Sequence, residues 1–470
     1  MASFSWVKIS ANSYEQKYGF MERFFVRFLG EEGKATPFTI IAALELVVGS
    51  TPIDAFESRL RETWRALRFH HPGIAGLSGS SGKIYTVPTT VEAVSEWEHA
   101  SFKRHSPGTT GDDIYGAAQR ATMMTLHFLP NATDTSHQLV LQAEHQHIDG
   151  RGVFYIFDAF LTIFTTPSLR DPSVVIFGEE WTRLPPAMDD LMCLPPAPSE
   201  EDISAARKWL SPLAQISPVA VPDPTPEQLG DSSPEQLSPQ SRSIRLAVRL
   251  SQSETSAVLA ACKLHNMTVT SAWLAALALA LGNHTTPDKT APPLGLTTFS
   301  TIDMRRYFPS NGTFDANKQI ACYHAFMPVA LELPPPNKEK GGLITLATRT
   351  TQDLHPPSSI KGSYPTVIQL LGDRISTADP MKSAGLVSPL GVIDQYLKKT
   401  YGSGEMQVNV KDVWIADTMM GGTKLWMVHT WDGRLCLSVL YDEAKFGRGR
   451  MEWVLERVKG EMVVGLERGV

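Results

Sequence analysis

Cysteine is scarce in this sequence, and its spacing indicates neither a disulfide framework nor a zinc site. Four of the 470 residues are cysteine, namely Cys193, Cys262, Cys322 and Cys436. None belongs to a C-x-x-C pair, the usual spacing of a structural metal site or a redox motif. A His-Glu-x-x-His pair and clustered ligand residues are also absent, so we expect no bound metal. The simplest interpretation is a protein of a reducing compartment.

Long apolar runs and an excess of basic residues are absent as well. No stretch of about 18 apolar residues occurs, and the start of the chain lacks the basic lead and apolar centre of a secretory signal. The formal net charge of -6 does not supply the basic face that nucleic acids require. We therefore predict a cytoplasmic protein with no membrane span and no nucleic-acid partner.

Familiar nucleotide-binding and hydrolase motifs are missing too. Gly79-x-x-Gly82-Lys83 is shorter than a P-loop and is followed by Ile84 instead of a hydroxyl residue. No Gly-x-Ser-x-Gly sequence occurs, which excludes the common nucleophile elbow of serine hydrolases. Any chemistry therefore depends on a different arrangement of side chains.

The length and composition favour a folded chain of roughly two or three domains. Hydrophobic residues make up 42% of the chain and charged residues 20%, which is enough to bury a sizeable core. Residues 185–242 are rich in Pro, Ser and acidic residues and can bury little apolar surface, so we interpret them as a crossover linker. This predicts an N-terminal lobe, residues 1–184, and a C-terminal lobe, residues 243–470.

Hydrophobic patterns in both lobes predict a mixture of strands and helices. Residues 38–48 are the longest apolar stretch, and we interpret them as a core helix. Residues 121–129 and 137–144 have the composition of two strands joined by a polar hairpin segment. Residues 152–165 have the pattern of a largely apolar helix. The expected fold class is therefore α/β, of the α+β sandwich type, with mixed sheets flanked by helices.

The most informative segment is His145-x-x-x-Asp149-Gly150, which lies between a predicted strand and a predicted helix. An imidazole is the side chain best suited to take a proton from a hydroxyl group near neutral pH, so His145 is the candidate catalytic base. The alternative is a structural histidine. His147 lacks a paired aspartate and is expected to pack against the turn. Glycine tolerates unusual backbone angles, so Gly150 is expected to permit the turn.

Asp149 could play either of two roles. It could orient the imidazole, or it could point away and hold the loop by binding an arginine, because a buried carboxylate needs a partner. We favour the arginine, and the segment Asp303-Met304-Arg305-Arg306 supplies two candidates. One arginine would bind the carboxylate, and the other would bind a substrate or Asp303. The alternative for this segment is a solvated turn.

These motifs resemble those of the chloramphenicol acetyltransferase-like superfamily, which includes BAHD acyltransferases, condensation domains of peptide synthetases and fungal trichothecene O-acetyltransferases. Besides His145-x-x-x-Asp149-Gly150, the run Leu250-Ser251-x-x-Glu254, a capping-box signature, is similar to the start of the superfamily's second half. Residues 303–309 are similar to its arginine-bearing loop. Residues 388–394 and 440–443 look most like the trichothecene 15-O-acetyltransferase type.

Two segments depart from the superfamily's patterns. Condensation domains usually carry a second histidine directly before the catalytic one, and here that residue is Glu144. Amide synthesis between carrier-bound groups is therefore less favoured. Plant BAHD enzymes carry an Asp-Phe-Gly-Trp-Gly motif, and the nearest match here, Asp412-Val413-Trp414-Ile415-Ala416, lacks its glycines.

The resemblance implies two similar α/β lobes that meet along a tunnel, with the His145 loop at their interface and donor and acceptor entering from opposite faces. It implies a monomeric, CoA-dependent O-acyltransferase with acyl-CoA, in particular acetyl-CoA, as co-substrate and no bound cofactor. The acceptor would be a hydroxyl group of a fungal-type secondary metabolite such as a terpenoid or polyketide. His145 and Asp149 would be the catalytic residues, and the residues binding substrate or cofactor would be Gly150, Asp303, Arg305 and Arg306.

Two other functions stay open at this point. A cyclase or pericyclase could use the same tunnel without an acyl donor, with His145 as acid, base or hydrogen-bond donor. A binding protein could keep the fold and the pocket without turnover.

Overall fold

The structure is a computed structural model that describes most of the chain. The described residues are 4–49, 51–131, 135–195, 197–223, 237–283, 291–308, 315, 318–334, 342–354, 360–377 and 379–467. Strands and helices are mixed along its length, as the predicted α/β fold class requires.

Strands and helices are numbered separately in chain order. The strands are β1 (Val7–Lys8), β2 (Ser13–Lys17), β3 (Thr39–Val48), β4 (Leu77–Ser78), β5 (Gly82–Thr86), β6 (Phe102–Arg104), β7 (Thr125–Leu129), β8 (Ser136–Glu144), β9 (Ser217–Pro218), β10 (Ser243–Arg249), β11 (Leu294–Asp303), β12 (His324–Glu332), β13 (Leu386–Val392), β14 (Thr400–Tyr401), β15 (Val408–Asp417), β16 (Leu425–Trp431) and β17 (Arg434–Asp442). The helices are α1 (Phe20–Val26), α2 (Ile53–His70), α3 (Val91–Ser101), α4 (Gly111–Gly116), α5 (Gly150–Thr165), α6 (Met188–Leu191), α7 (Glu200–Leu210), α8 (Gln252–Leu264), α9 (Val269–Gly282), α10 (Gly342–Asp353), α11 (Ile360–Thr377) and α12 (Arg448–Glu467).

The chain forms two compact units. The first consists of Met1–Pro196, Asp303–His324 and Ile393–Thr418, and the second of Ala197–Ile302, Ala325–Val392 and Met419–Val470. The first unit therefore takes two segments from late in the sequence. The division into two lobes and a linker stays a prediction. Residues 224–236 of the predicted linker lie outside the described residues, and its described part carries α6, α7 and β9.

The first unit contains a six-stranded sheet with the order β14-β15-β3-β8-β7-β6. Neighbouring strands in it are antiparallel except for the parallel pair of β6 and β7. A smaller sheet of the same unit has the order β1-β2-β5-β4. The strands β3 and β8 at the centre of the larger sheet are mostly buried, so they form the core on which the candidate motif is mounted.

Strand β3 shows that the helix predicted for residues 38–48 is wrong. It pairs antiparallel with both β8 and β15. Most of its side chains are buried, so it lacks the alternation of a half-exposed strand. A short apolar run does not distinguish a buried strand from a buried helix by periodicity, and the β-branched Ile40, Ile41 and Val47 favour the strand.

The second unit is built on a sheet with the order β10-β17-β16-β13-β11-β12, to which β9 adds through β11. The buried helix α9 and the helix α12 pack in its hydrophobic core. The capping box predicted at the start of α8 is confirmed, because Ser251 Oγ accepts a hydrogen bond from Glu254 N (3.2 Å) and Glu254 Oε2 accepts one from Ser251 N (2.6 Å). Of the helices in the described ranges, none alone has the length and hydropathy to cross a bilayer, although α8 and α9, bent by 103°, pass that test as a pair.

Candidate active site

The turn that carries His145 joins β8 to α5. Strand β8 ends at Glu144, and two backbone hydrogen bonds close the turn that follows. His147 N donates to Glu144 O at 3.0 Å, and Ile148 N donates to His145 O at 3.3 Å. The strand and the helix predicted on either side of the motif are therefore both present, with the turn between the sheet and the helix.

Helix α5 begins directly after Asp149, which is its N-cap. The carboxylate Oδ1 accepts a hydrogen bond from Gly152 N at 2.7 Å, which satisfies a donor of the first turn. Gly150 is the first helical residue, so the unusual backbone angles expected of it are not found. The constrained glycine is Gly152, where a Cβ would lie 2.8 Å from Ile148 Cγ1.

Asp149 is paired with Arg305, which is the second of the two roles considered for it. Arg305 Nη1 donates to Oδ2 at 2.8 Å and Nη2 donates to Oδ1 at 3.1 Å, while Tyr323 N donates to Oδ2 at 2.7 Å. Burial raises the pKa of Asp149, but the charge and hydrogen bonds of Arg305, together with His324 and the Gly152 N–H, hold it below its ordinary value. The pair ties the end of the His145 turn to the loop that carries Arg305.

Asp303 joins this pair, whereas Arg306 does not. Asp303 Oδ1 accepts hydrogen bonds from Arg305 Nη1 at 3.2 Å and from Arg305 N at 3.1 Å. Its Oδ2 lies 3.9 Å from Arg151 Nε. Arg306 is exposed, and its guanidinium lies 4.9 Å from the centre of the Tyr307 ring. Of the two arginines that the sequence offers as partners of Asp149, Arg305 binds its carboxylate.

The imidazole of His145 is held by neighbouring rings. It stacks on Phe25 with the ring centres 3.8 Å apart and the planes 8° apart. The His324 ring lies 5.0 Å from it. On the remaining side, His145 Nε2 lies 3.8 Å from Asp417 Oδ2. The residue is 8% exposed, so its packing restrains the ring without enclosing it entirely.

This environment keeps His145 uncharged near neutral pH. Burial lowers its pKa from 6.5 to about 4. Asp417 and Asp149 act in the opposite direction, and His324 acts in the same direction as burial. A neutral imidazole can accept a proton, which is the first requirement for a general base.

A buried polar network supports the turn next to His145. Glu144 Oε1 accepts a hydrogen bond from Arg120 Nε at 2.6 Å, and Oε2 accepts one from Gln146 Nε2 at 2.5 Å and another from Ser78 Oγ. Ser78 Oγ also lies 2.9 Å from His147 Nε2. Glu144, at the place of the second histidine of condensation domains, is thus committed to structural contacts, and His147 contacts Ser78 of β4.

One group of side chains near the base has the donor types of a metal site. In the part of the chain that is described, His145, Cys322 and His324 each place one ligand atom within 4.8 Å of the others. Cys322 Sγ lies 3.7 Å from His324 Nδ1, and burial raises the pKa of the Cys322 thiol well above 9.0. A metal here would occupy a nitrogen of the candidate base. The expectation of no bound metal stays a prediction.

Sequence reasoning does not find three neighbours of His145, namely Phe25, His324 and Asp417. Phe25 lies in α1 and Asp417 ends β15, far from the motif in sequence. Pairing of β3 with both β8 and β15 brings the ends of those strands together. The sequence offers one weak signal for Asp417, its position directly after the segment compared with the plant motif. For His324 the signal is the run of mostly apolar residues that begins there and forms β12.

Similarity to known proteins extends over nearly the whole chain, although no model of a protein family matches it. The acetyltransferase pigO of Monascus ruber is 22% identical over 476 residues, which cover 98% of each protein. The O-acetyltransferase pigM of the same organism is 26% identical over 417 residues, covering 85% of this chain and 75% of pigM. The solved structure of TRI3 trichothecene 15-O-acetyltransferase from Fusarium sporotrichioides matches with a TM-score of 0.80 at 15% identity, covering 98% of this chain and 97% of that one.

The chain is an acyltransferase, similar in sequence to these two fungal acetyltransferases. The resemblance to fungal acetyltransferases that the sequence predicts is confirmed by pigO and pigM. The TRI3 structure establishes the fold, and the fold class predicted from the sequence is confirmed with it.

Proposed function

We propose that this acyltransferase moves an acetyl group from acetyl-CoA to a hydroxyl group of a terpenoid or polyketide, with His145 as the general base. The observation that carries the proposal is the geometry around His145, whose ring stacks on Phe25 and whose Nε2 lies 3.8 Å from Asp417 Oδ2. Burial lowers the pKa of this imidazole, which favours its uncharged form near neutral pH. The turn that bears it is anchored through the buried ion pair of Asp149 and Arg305. A base held in this way is ready to accept a proton without first being rearranged.

The reaction needs no covalent intermediate on the enzyme. His145 Nδ1 is enclosed by protein atoms, which leaves Nε2 for the acceptor. Nε2 takes the hydroxyl proton as the hydroxyl oxygen attacks the thioester carbon, a step to which a general base contributes about 10²- to 10⁴-fold. Collapse of the tetrahedral intermediate breaks the carbon–sulfur bond, and the imidazolium returns the proton to the sulfur of CoA. Asp149 and Arg305 hold the turn and take no part in proton transfer.

The direct test is the formation of an acetyl ester. The purified protein is incubated with acetyl-CoA and either a trichothecene bearing a free hydroxyl or the alcohols extracted from a strain that lacks this protein. Mass spectrometry should find a product heavier by one acetyl group together with free CoA. The same deletion strain should accumulate the unacetylated alcohol. Absence of an acetylated product from both sources would contradict the proposal.

Acetyl-CoA is expected to raise the melting temperature of the protein. A ligand present at about 100 times its dissociation constant adds about 2.7 kcal/mol to the free energy of unfolding. Thermal unfolding is followed with acetyl-CoA and, as the control, with ATP, which shares the adenine nucleotide but not the thioester arm. The His145→Ala variant should keep the shift, because the base is not needed to bind the donor. If acetyl-CoA gives no shift, the cyclase or pericyclase alternative is favoured.

Transfer is expected to persist at mildly acidic pH. The base must be uncharged, and the pKa of His145, which faces Asp417, His324 and Asp149, is lowered by burial to about 4. The ratio kcat/KM should therefore stay level down to about pH 5 and fall only as pH approaches the pKa. A histidine with the ordinary pKa of 6.5 would lose activity much earlier. A fall centred near that ordinary value, with the fold intact, would contradict this prediction.

Acid also weakens the fold, so the pH profile needs a structural control. Burial lowers the pKa of several other histidines, which are His71, His127, His147, His324 and His429. The unfolded chain binds protons at these sites as pH falls through about 6.5, while the folded chain does not, so stability decreases with falling pH. Circular dichroism at each pH separates unfolding from titration of the base.

A further inference from the structure

Asp417 is a largely buried carboxyl group that faces the proposed base. It is the last residue of β15, and its Oδ2 lies 3.8 Å from His145 Nε2. Its side chain is 13% exposed. Within the described ranges, no lysine or arginine lies at ion-pair distance from it, and the imidazole is its one ionic partner.

Several buried carboxylates of the first unit have a cationic partner, whereas Glu180 accepts hydrogen bonds from Tyr85 Oη at 2.5 Å and from Gly178 N at 2.6 Å. The ion pairs are Glu22 with Lys83, Glu144 with Arg120, and Asp149 with Arg305. A cation offsets the cost of removing a carboxylate from water. Asp417 has no such cation, so a stabilising ion pair does not explain why a carboxyl group stands at this position.

The position of Asp417 is fixed by its backbone. In the six-stranded sheet it is paired with Ile40. Its carbonyl oxygen accepts a hydrogen bond from Tyr115 Oη at 2.8 Å. Thr418, the next residue, accepts one through Oγ1 from Thr39 N at 2.9 Å. Because the strand end is held from both sides, the backbone keeps the carboxyl group of Asp417 within reach of the imidazole.

The distance between the Asp417 carboxylate and the His145 imidazole suits an electrostatic interaction without a hydrogen bond. A distance of 3.8 Å between Oδ2 and Nε2 is too long for a hydrogen bond, so the carboxyl group does not occupy the nitrogen that must accept a proton. At the same distance, charges in a largely buried site still interact strongly. Asp417 can therefore act on the charge of His145 while leaving Nε2 available to the acceptor.

We propose that Asp417 is a positioning residue that acts through His145, its carboxylate compensating the positive charge that the imidazole gains when it takes the acceptor's proton. This inference rests on the proposed function and deepens it. The proton moves from the hydroxyl oxygen to Nε2 as the oxygen–carbon bond forms, and from Nε2 to the CoA sulfur as the carbon–sulfur bond breaks. Asp417 neither gains nor loses a proton during the cycle.

Asp417 and His145 shift each other's pKa in the directions expected if the carboxylate stabilises the imidazolium. Burial lowers the pKa of His145, and Asp417 raises it again. Burial likewise raises the pKa of Asp417, and His145 lowers it. Three other titratable groups lie near the imidazole: His324, which lowers its pKa, the Cys322 thiol, and Asp149, whose charge is already matched by Arg305. Of these neighbours, Asp417 is the carboxylate whose charge is left for the imidazolium.

The test is a double-mutant cycle with acetyl transfer as the measurement. Asp417→Asn in the wild-type background should lower kcat about 10²-fold, the size of effect found for groups that stabilise transition-state charge, with KM for acetyl-CoA nearly unchanged. In the His145→Ala background the same substitution should change the residual rate by less than about threefold, because the group it acts on is gone. Asp417→Glu should recover part of the loss. Asp412→Asn, on the same strand, is the matched control and should transfer normally.

Thermal unfolding distinguishes this role from a structural one. Because Asp417 has no cationic partner, Asp417→Asn should melt no lower than the wild type. Two results would overturn the proposal while leaving the acetyltransferase function in place. In the first, Asp417→Asn keeps more than about a third of the wild-type kcat. In the second, Asp417→Asn lowers the rate by the same factor in the wild-type and His145→Ala backgrounds. A wild-type protein that forms no acetyl ester would instead overturn the proposed function and this role with it.

Discussion

Replacing His145 by alanine is expected to lower the rate of acetyl transfer about 10²- to 10⁴-fold. The substitution removes the one nitrogen proposed to take the acceptor proton, and neither Phe25 nor His324 is placed to replace it in that role. The fold should survive, because the main packing interaction that the substitution removes is the stack on Phe25, and an aromatic pair of this kind contributes about 0.5–1.5 kcal/mol. Initial rates of CoA release with the accepted alcohol measure the effect.

His147→Gln is the matched control for this substitution. It alters a histidine two positions further along the same turn, whose Nε2 contacts Ser78 and not the ring stack. Glutamine can still hydrogen-bond the serine, so the variant should stay within about tenfold of the wild-type rate. Near-normal transfer by His145→Ala would end the assignment of the base. An equal loss in both variants would show that the turn, and not the imidazole, controls the rate.

The sequence predicts the immediate surroundings of the base because they depend on neighbours in the chain. The strand before His145 and the helix after it follow from local hydrophobic patterns, and both are present. The pairing of Asp149 with an arginine follows from the need to neutralise a buried carboxylate. The choice between Arg305 and Arg306 does not follow, because it depends on which of two adjacent side chains the three-residue 3-10 helix there directs inwards.

Residues brought in by sheet pairing could not be predicted. Strand β3 lies between β8 and β15, so it is the strand that brings Asp417 near His145. When residues 38–48 are predicted to be a helix, the sequence gives no reason to place these two residues together. The error has a physical origin. A strand with both faces covered needs no polar alternation, so its sequence carries the same signal as a buried helix. The contact of Phe25 with His145 could not be predicted for a related reason. Aromatic packing depends on the three-dimensional arrangement and has no characteristic residue spacing in the sequence.

Replacing Arg305 by methionine is expected to lower the free energy of unfolding by about 3–5 kcal/mol. Arg305 and Asp149 are both almost completely buried, and removing the guanidinium leaves the carboxylate without a counter-charge. Two carbonyl groups that accept hydrogen bonds from Arg305 Nη2, those of Gln319 and Ala321, also lose their donor. Urea denaturation measures the loss. Arg306→Met is the matched control at the next residue, and since Arg306 is exposed its effect should stay within about 0.5 kcal/mol.

The ion pair of Asp149 and Arg305 should affect both stability and the rate of transfer, and a double-mutant cycle measures the interaction between the two side chains. Asp149→Asn removes the charge that Arg305 neutralises, so Asp149→Asn combined with Arg305→Met should cost clearly less than the sum of the two single changes. Activity should fall in all three variants, because Asp149 is the N-cap of α5 and fixes the turn that presents His145. Arg305→Lys keeps the charge but not the two parallel hydrogen bonds, so it should lie between wild type and Arg305→Met in both stability and rate. Additive costs would show that the two side chains act independently, which their bidentate contact does not allow.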